Sequence, residues 1–452
     1  MRQPPWKRWL AATMPVLLSF PAVAQQASLT LRQAIDQALG QNPQIAMAAA
    51  DVSAARAGAL LAHSALWPRL TAMEDISRGD DPVYVFGSRL RQQRFSQTDF
   101  ALNTLNRPTP LGNFATRLSG QWMLWNGFST QQQIHAATLG VRSAASASRS
   151  VNQTVVLQVV QAYQAVLYAQ RQAKLAAQEQ KTAEALLADA TTRVRAGLAV
   201  DSDLLAAQVN LAARQQQSIA AQGAVETAWA TLQAVMGSSR MDEPALQPLQ
   251  ARSYPAGDLS ADLAAASKAR PDLQALAQQT DAERHAVKAA WADFFPTLSA
   301  YGNLETDRPD ITGAGGNNWV AGAQLSMDIL PLAKRARLQQ ARAAQQKAEA
   351  QQRAQQLAIR LGVSRAFTAH QTTELTMITA RAAMDQATES LRILRNRYGA
   401  GLATMTDLLR AEDASRKSAA NYWQAAYGNT VAYADLLFAK GNLTPDSAEN
   451  LQ

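Results

Sequence analysis

The 452-residue chain contains no cysteine, which excludes disulfides, thiolate metal sites, a cysteine nucleophile and an N-terminal lipidated cysteine. Charged residues make up only 17% and aromatics 6%, while Ala and Gln crowd the sequence. That bias belongs to long helices rather than to a compact α/β enzyme. Proline is missing between Pro110 and Pro244 and again between Pro331 and Pro445, so both stretches can be helical nearly throughout. Past the N-terminus no run of about 20 residues is apolar and free of charges or Gln, the length a helix needs to cross a bilayer. The net charge is +8, but it is spread without a basic block or polybasic run, so nucleic acid is not an expected partner.

What is present begins with a secretory signature. Arg2, Lys7 and Arg8 precede an apolar stretch from Trp9 to Phe20 and the small-residue pattern Ala22-Val23-Ala24. This predicts a signal peptide over residues 1–24 and a mature chain starting near Gln25.

The rest of the chain reads as a duplication. Asn42-Pro43-Gln44-Ile45 and Trp67-Pro68-Arg69-Leu70 return as Arg270-Pro271-Asp272-Leu273 and Phe295-Pro296-Thr297-Leu298, and Arg56 returns as Arg284, all at one offset. At a second offset Ala162-Tyr163 meets Ala366-Phe367, Ala196-Gly197-Leu198-Ala199 meets Ala400-Gly401-Leu402-Ala403, and Gly237 meets Gly441. The predicted organisation is a first repeat over 25–237, a linker over 238–258, a second repeat over 259–441 and a tail over 442–452.

Each repeat reads as helix, strand pair, long helix, tight break, helix. The predicted strands are 69–77 and 114–124 in the first repeat, 297–306 and 319–329 in the second. Their apolar positions alternate at the strand period: Phe114, Leu118 and Trp122 against Arg117, Ser119 and Gln121, then Leu325, Met327 and Ile329 against Gln324, Ser326 and Asp328. Each is near the ~9–11 residues that cross a bilayer as a tilted strand. Trp67, Trp125, Trp319 and Phe295 fall near strand ends, where amphipathic rings favour the membrane interface. The long helices, predicted over 128–195 and up to about 398, carry coiled-coil spacing such as Val156, Val160, Tyr163 and Leu167. At ~1.5 Å per residue the first is about 100 Å long. The loop between the first two strands holds Asp80-Asp81-Pro82 and Arg89 to Arg94 and is expected to be a polar outer loop tolerant of insertion.

Four strands cannot close a barrel, and an open edge is not tolerated in lipid. The chain therefore has to share its barrel, and three copies would supply twelve strands, although counting alone leaves eight or sixteen open.

The opening Leu29-Thr30-Leu31-x-x-Ala34-Ile35-x-x-Ala38-Leu39-x-x-Asn42-Pro43-x-Ile45 resembles that of TolC-family outer-membrane efflux proteins. Pro before each first strand, Leu124-Trp125-Asn126-Gly127 at a strand exit and two Gly-Leu-x-x-x-x-Asp-Leu breaks are also similar to that family. The resemblance spans Leu29 to Gly441. It implies a homotrimer in which a twelve-stranded outer-membrane barrel continues into a twelve-helix periplasmic α-barrel. It further implies a passive exit duct with no cofactor, coupled through a periplasmic adaptor (membrane fusion) protein to an inner-membrane efflux pump or ABC exporter.

The breaks at 195–205 and 398–409 are then the periplasmic tips. Gly197 and Gly401 supply the backbone freedom to end a helix without proline. Asp201 or Ser202, and Thr404 or Thr406, are candidate caps of the returning helices. Gly197, Leu198, Ala199, Asp203 and Leu204 in one tip, and Gly401, Leu402, Ala403 and Leu408 in the other, are the candidate adaptor contacts. Asp407, Arg410 and Tyr398 are the candidate gate. Similar proteins carry a second aspartate at the position of Arg410, so an acidic ring here would rest on Asp407 alone, and an Asp407–Arg410 ion pair at i,i+3 spacing is the structural alternative. Catalytic signatures are absent: His63, His135, His285 and His370 are scattered, and no phosphate loop or nucleophile elbow occurs. The rival readings are an exported coiled-coil rod and a general diffusion porin.

Overall fold

The computed structural model describes residues 28–238, 243–248, 252–254 and 257–451; the segment expected to be a signal peptide lies outside the described residues. Two short helices, α1 (Leu31–Gln41) and α2 (Pro43–Ser64), lead into strand β1 (Arg69–Gly79). A folded connection of α3 (Pro82–Arg91), a 3-10 turn (Gln97–Phe100) and α4 (Leu102–Asn106) reaches β2 (Leu111–Trp125). Two long helices follow, α5 (Ser129–Arg195) and α6 (Asp201–Met236). The order then recurs as α7 (Leu259–Ala269), α8 (Pro271–Ala292), β3 (Thr297–Arg308), β4 (Gly316–Ser326), α9 (Leu332–Gly399) and α10 (Met405–Ala439), and closes on α11 (Pro445–Glu449).

The molecule is thus mostly helical with one antiparallel sheet in the order β1-β2-β3-β4. Its register, with Leu118 opposite Leu304 and Leu304 opposite Trp319, puts residues of one parity on one face. One face carries Leu70, Ile76, Leu118, Trp122, Leu304 and Trp319, all exposed. The other carries Asn113, Arg117, Ser119, Asn303, Glu305 and Asn318. The last strand differs from the sequence reading. β4 stops at Ser326, which pairs with Thr297, because the residue before Thr297 is Pro296 and has no N–H to extend the ladder. Met327 and Ile329 therefore lie beyond the strand.

Helices α5 and α9, of 67 and 68 residues, are each about 100 Å long. The main core lies near the middle of α5, where Leu31, Ile35, Tyr163, Trp229, Leu232 and Leu451 are buried together. The Tyr163 hydroxyl donates to the carbonyls of Leu29 and Gln247 at 2.8 and 2.9 Å, tying the N-terminal segment to the stretch before α7. Burial pushes that hydroxyl's pKa up to about 12. The joint between the short helices is built twice. Asn42, which caps α2, donates to the Val235 carbonyl at 2.7 Å; Arg270, ahead of α8, donates to the Phe438 carbonyl at 3.2 Å. Gly237 lies so close to Gln41 that an added Cβ would sit 2.6 Å from its carbonyl oxygen.

The two short helices differ in their surroundings. α8 packs between α5 and α9, whereas α2 packs on α5 and leaves its other side open. Met47, Leu60 and Leu61 on α2 are exposed, as are Leu357 and Leu361 on α9.

Candidate functional site

Both long helices end in the same backbone device. The Leu198 N–H donates to the Arg193 carbonyl at 2.8 Å and the Gly197 N–H to Val194 at 3.0 Å; Leu402 and Gly401 repeat this on Arg397 and Tyr398 at 2.8 and 3.0 Å. These are Schellman turns, which need a left-handed residue; Gly197 and Gly401 have φ of +67° and +73°. A Cβ would meet nothing at either glycine, so the requirement is backbone conformation, not space.

The returning helices start differently. Thr404 caps α10 with a full capping box: its hydroxyl accepts from the Asp407 N–H at 3.1 Å and donates to the Asp407 carboxylate at 2.6 Å, which also accepts the Thr404 N–H at 3.2 Å. On α6 neither Asp201 nor Ser202 is the cap. Val200 occupies that position without a side-chain hydrogen bond, and Asp201 is already the first helical residue.

Asp407 does not pair with Arg410: among the described residues its carboxylate is engaged by Thr404, and Arg410 points to solvent. The Thr404 hydroxyl and N–H hold the Asp407 carboxyl below the ordinary carboxylate value, with Arg410 and Arg397 adding a weaker pull. Tyr398 is half-buried, its ring beneath the Arg193 guanidinium at 4.9 Å, and burial raises its hydroxyl's pKa. Leu408 is 2% exposed and packs with Met405, Leu186, Ala190 and Ala207. Leu198 and Leu402 project from the turns, 77% and 68% exposed, while Ala199, Ala403, Asp203 and Leu204 are half-buried. The geometry gathers Tyr398, Asp407 and Leu408 into the second tip and Gly197 to Leu204 into the first.

Sequence reasoning missed a charged cluster farther along the four helices. A cavity of about 140 Å³ there is lined by Glu179, Arg214, Arg395, Glu412 and Arg416. Glu179 faces Arg214 at 3.8 Å, and Asp413 accepts from Arg416 at 2.5 Å and pairs with Lys417 at 2.8 Å. Those two contacts take the Asp413 pKa down to about 2, whereas burial raises that of Glu179. Its members come from four helices, so no local spacing signals it. The histidines are also less scattered than the sequence suggests, since His135 and His285 lie 5.3 Å apart between α5 and α8. No group of three or more metal-ligating side chains forms among the described residues.

The fold has counterparts among solved outer-membrane channels. It superposes on the Campylobacter jejuni CmeC outer membrane channel with a TM-score of 0.80 at 18% identity, covering 91% of this chain and 85% of that one. The Neisseria gonorrhoeae MtrE outer membrane channel in its open state gives 0.76 at 20% identity, covering 92% and 90%. By sequence, Protein CyaE of Bordetella pertussis is 26% identical over 436 residues, 92% of this chain and 82% of that protein. The family and structural neighbours are channels, not enzymes, and reside in the outer membrane with a periplasmic extension. The model of the family described as Outer membrane efflux protein matches residues 34–238 and 263–442, and the chain belongs to that family, an outer-membrane channel of the TolC type.

Proposed function

We propose that three copies of this chain form a passive exit duct, a twelve-stranded barrel prolonged by twelve helices, which receives cargo at its periplasmic tips from an adaptor and an inner-membrane efflux pump or ABC exporter. The observation that carries this is the unequal environment of α2 and α8. The two follow equivalent Pro-led starts at the two ends of the repeat, yet α8 has α5 on one side and α9 on the other, whereas α2 has only α5. The missing neighbour of α2 has the character of α9, whose Leu357 and Leu361 are exposed. A second copy supplies that helix, and the same step pairs the free edges of β1 and β4, which lipid would not tolerate unpaired. Closing after three steps gives twelve strands, a water-filled size. The two matched family segments and the doubled Asn42 and Arg270 joints support a duplicated origin of the halves.

The tips are the adaptor-contacting surface in this reading, with Leu198 and Leu402 offered to a partner hairpin and Gly197, Ala199, Asp203, Leu204, Gly401, Ala403 and Leu408 shaping the turns beneath. Asp407, Tyr398 and Arg410 form the gate. Three Asp407 carboxylates gathered near an axis would hold cations by charge. The cap in which Asp407 takes part complicates the usual Ala test, so Asp407→Asn is the informative change: the amide oxygen still accepts the Thr404 N–H, and only the charge is lost. Single-trimer recordings in planar bilayers should then show weaker block by divalent cations. Unaltered block in that variant removes Asp407 from the gate, and a monomeric mass in nanodiscs removes the duct.

A further inference from the structure

We infer that α3, in the connection between β1 and β2, is an outer gate that crosses the lumen mouth of the barrel. This rests on the duct reading, which makes the polar face of the sheet the lumen wall.

The connection was expected to be an insertion-tolerant loop, but it is a built unit. Asp81 caps α3 by accepting from the Tyr84 N–H at 2.8 Å, and Pro82 starts the helix. Phe95 packs edge-on against Phe86 and Phe100, with ring centres 4.8 and 5.1 Å away. The Arg89 guanidinium is ion-paired to Asp99, which is 7% exposed.

Its direction is fixed by its partners, taken strand by strand. Near its start, the Tyr84 hydroxyl is 3.0 Å from that of Ser77 on β1. At its end, Gln92 donates to the Asn113 side chain and the Gly112 carbonyl of β2, both at 2.9 Å. Arg91 reaches Glu305 on β3 at 3.2 Å, and its carbonyl accepts from Asn318 on β4 at 3.2 Å. Ser77, Asn113, Glu305 and Asn318 all belong to the polar face. The helix therefore spans the whole sheet on the side away from lipid. Its length agrees: ten residues give about 15 Å, and three inter-strand spacings give about 14 Å. The wall beneath it is tightly held, with Arg117 on Glu305 at 3.1 Å and Asn113 on Asp307 at 2.7 Å.

A barrel of twelve strands has a backbone diameter of about 24 Å at ordinary tilt, and a helix with its side chains is about 10–12 Å thick. Three α3 helices lying on the inner wall therefore meet near the axis and leave a gap of a few Å. The duct then has a constriction at each end, and bulky cargo has to displace α3 by breaking the Gln92 and Arg91 contacts.

The absence of native cysteine allows a direct test on the full-length chain in intact cells. Gln121→Cys places a thiol on the polar face, deeper than α3, and Leu118→Cys places one on the apolar face. A small methanethiosulfonate and a bulky sulfonated maleimide are applied from outside. With α3 unaltered, the Gln121→Cys chain should react with the small reagent at least tenfold faster, relative to free thiol, than with the large one. Adding Arg91→Ala and Gln92→Ala should abolish that size discrimination. Equal relative rates for the two reagents in the unaltered cap overturn the gate, and this arm does not depend on whether the altered cap folds. Labelling of Leu118→Cys with Gln121→Cys silent to both reagents inverts the faces of the sheet and overturns the duct reading itself.

Discussion

The two tips, one joining α5 to α6 and one joining α9 to α10, share a turn and differ in everything that anchors it. Both end a helix of nearly seventy residues with a Schellman glycine, and both send a leucine into solvent at the next position. At the second tip, however, the returning helix is fastened by the Thr404–Asp407 box, Leu408 is buried, and Tyr398 lies against Arg193 of the first tip's long helix. The equivalent positions in the first tip are Val200 with Asp203, half-buried Leu204, and Val194. One tip is a fastened hairpin resting on the other, and the other lacks its own fastening. The second tip is thereby suited to moving as a unit and the first to yielding locally.

The sharpest way to break that comparison is to cut the buried anchor. Leu408→Ala should cost about 2–5 kcal/mol of local stability, read as about thirtyfold or faster amide exchange in the last turns of α9 and the first of α10. Leu204→Ala should cost about 1 kcal/mol. Equal effects would make the tips equivalent. Next is the cap. Thr404→Ala removes the hydroxyl that accepts the Asp407 N–H and donates to its carboxylate, leaving only the backbone N–H arm of the box, and should cost about 1 kcal/mol, whereas Val200→Thr, with Asp203 already at the third helical position, should build the missing box and slow exchange at the start of α6 by a few-fold. Failure of Val200→Thr to protect α6 would mean that the first tip is held open by something other than its cap.

How much of this was legible beforehand depends on whether a feature is local. Gly197, Gly401 and the Pro-led strand starts were legible because one residue's backbone restriction determines each. The strand faces were legible because alternation survives any register. The end of β4 was not, since it is set by Pro296 on the partner strand. Val200 as the cap defeated a rule based on side-chain preference, because Asp201 and Ser202 are better caps but the Schellman turn fixes where the helix restarts. The Glu179, Arg214 and Asp413 cluster, and the way α3 lies across four strands, depend on segments far apart in sequence. Arg410 was legible as a departure from the family pattern, but its lack of an ion pair to Asp407 follows only from the competing hydroxyl of Thr404.

Acid should separate the tips further. The Asp407 carboxyl is held below its ordinary value of 3.8 in the folded tip, so the stabilisation is fully present above that value and is lost as pH falls through the depressed one. Amide exchange at the start of α10 should therefore accelerate relative to neutral reference peptides below about pH 3.8, and Thr404→Ala should weaken that dependence by removing the hydroxyl, the larger of the two donors responsible. A dependence that persists undiminished in Thr404→Ala would assign the shift to the retained backbone N–H with Arg410 and Arg397 instead of the hydroxyl.

The smallest expected effect isolates the contact by which one tip rests on the other. The Arg193 guanidinium over Tyr398 is partly exposed and also pairs with Asp189 at 2.8 Å, so the ring contributes about 0.5–1 kcal/mol. Tyr398→Phe keeps the ring and should leave exchange in α9 unchanged, whereas Tyr398→Leu should speed it two- to fivefold. The hydroxyl has no hydrogen-bond partner among the described residues, so a measurable loss in Tyr398→Phe would mean that the hydroxyl reaches a group on a neighbouring copy. The fastening of the second tip would then belong to the assembled channel rather than to the single chain.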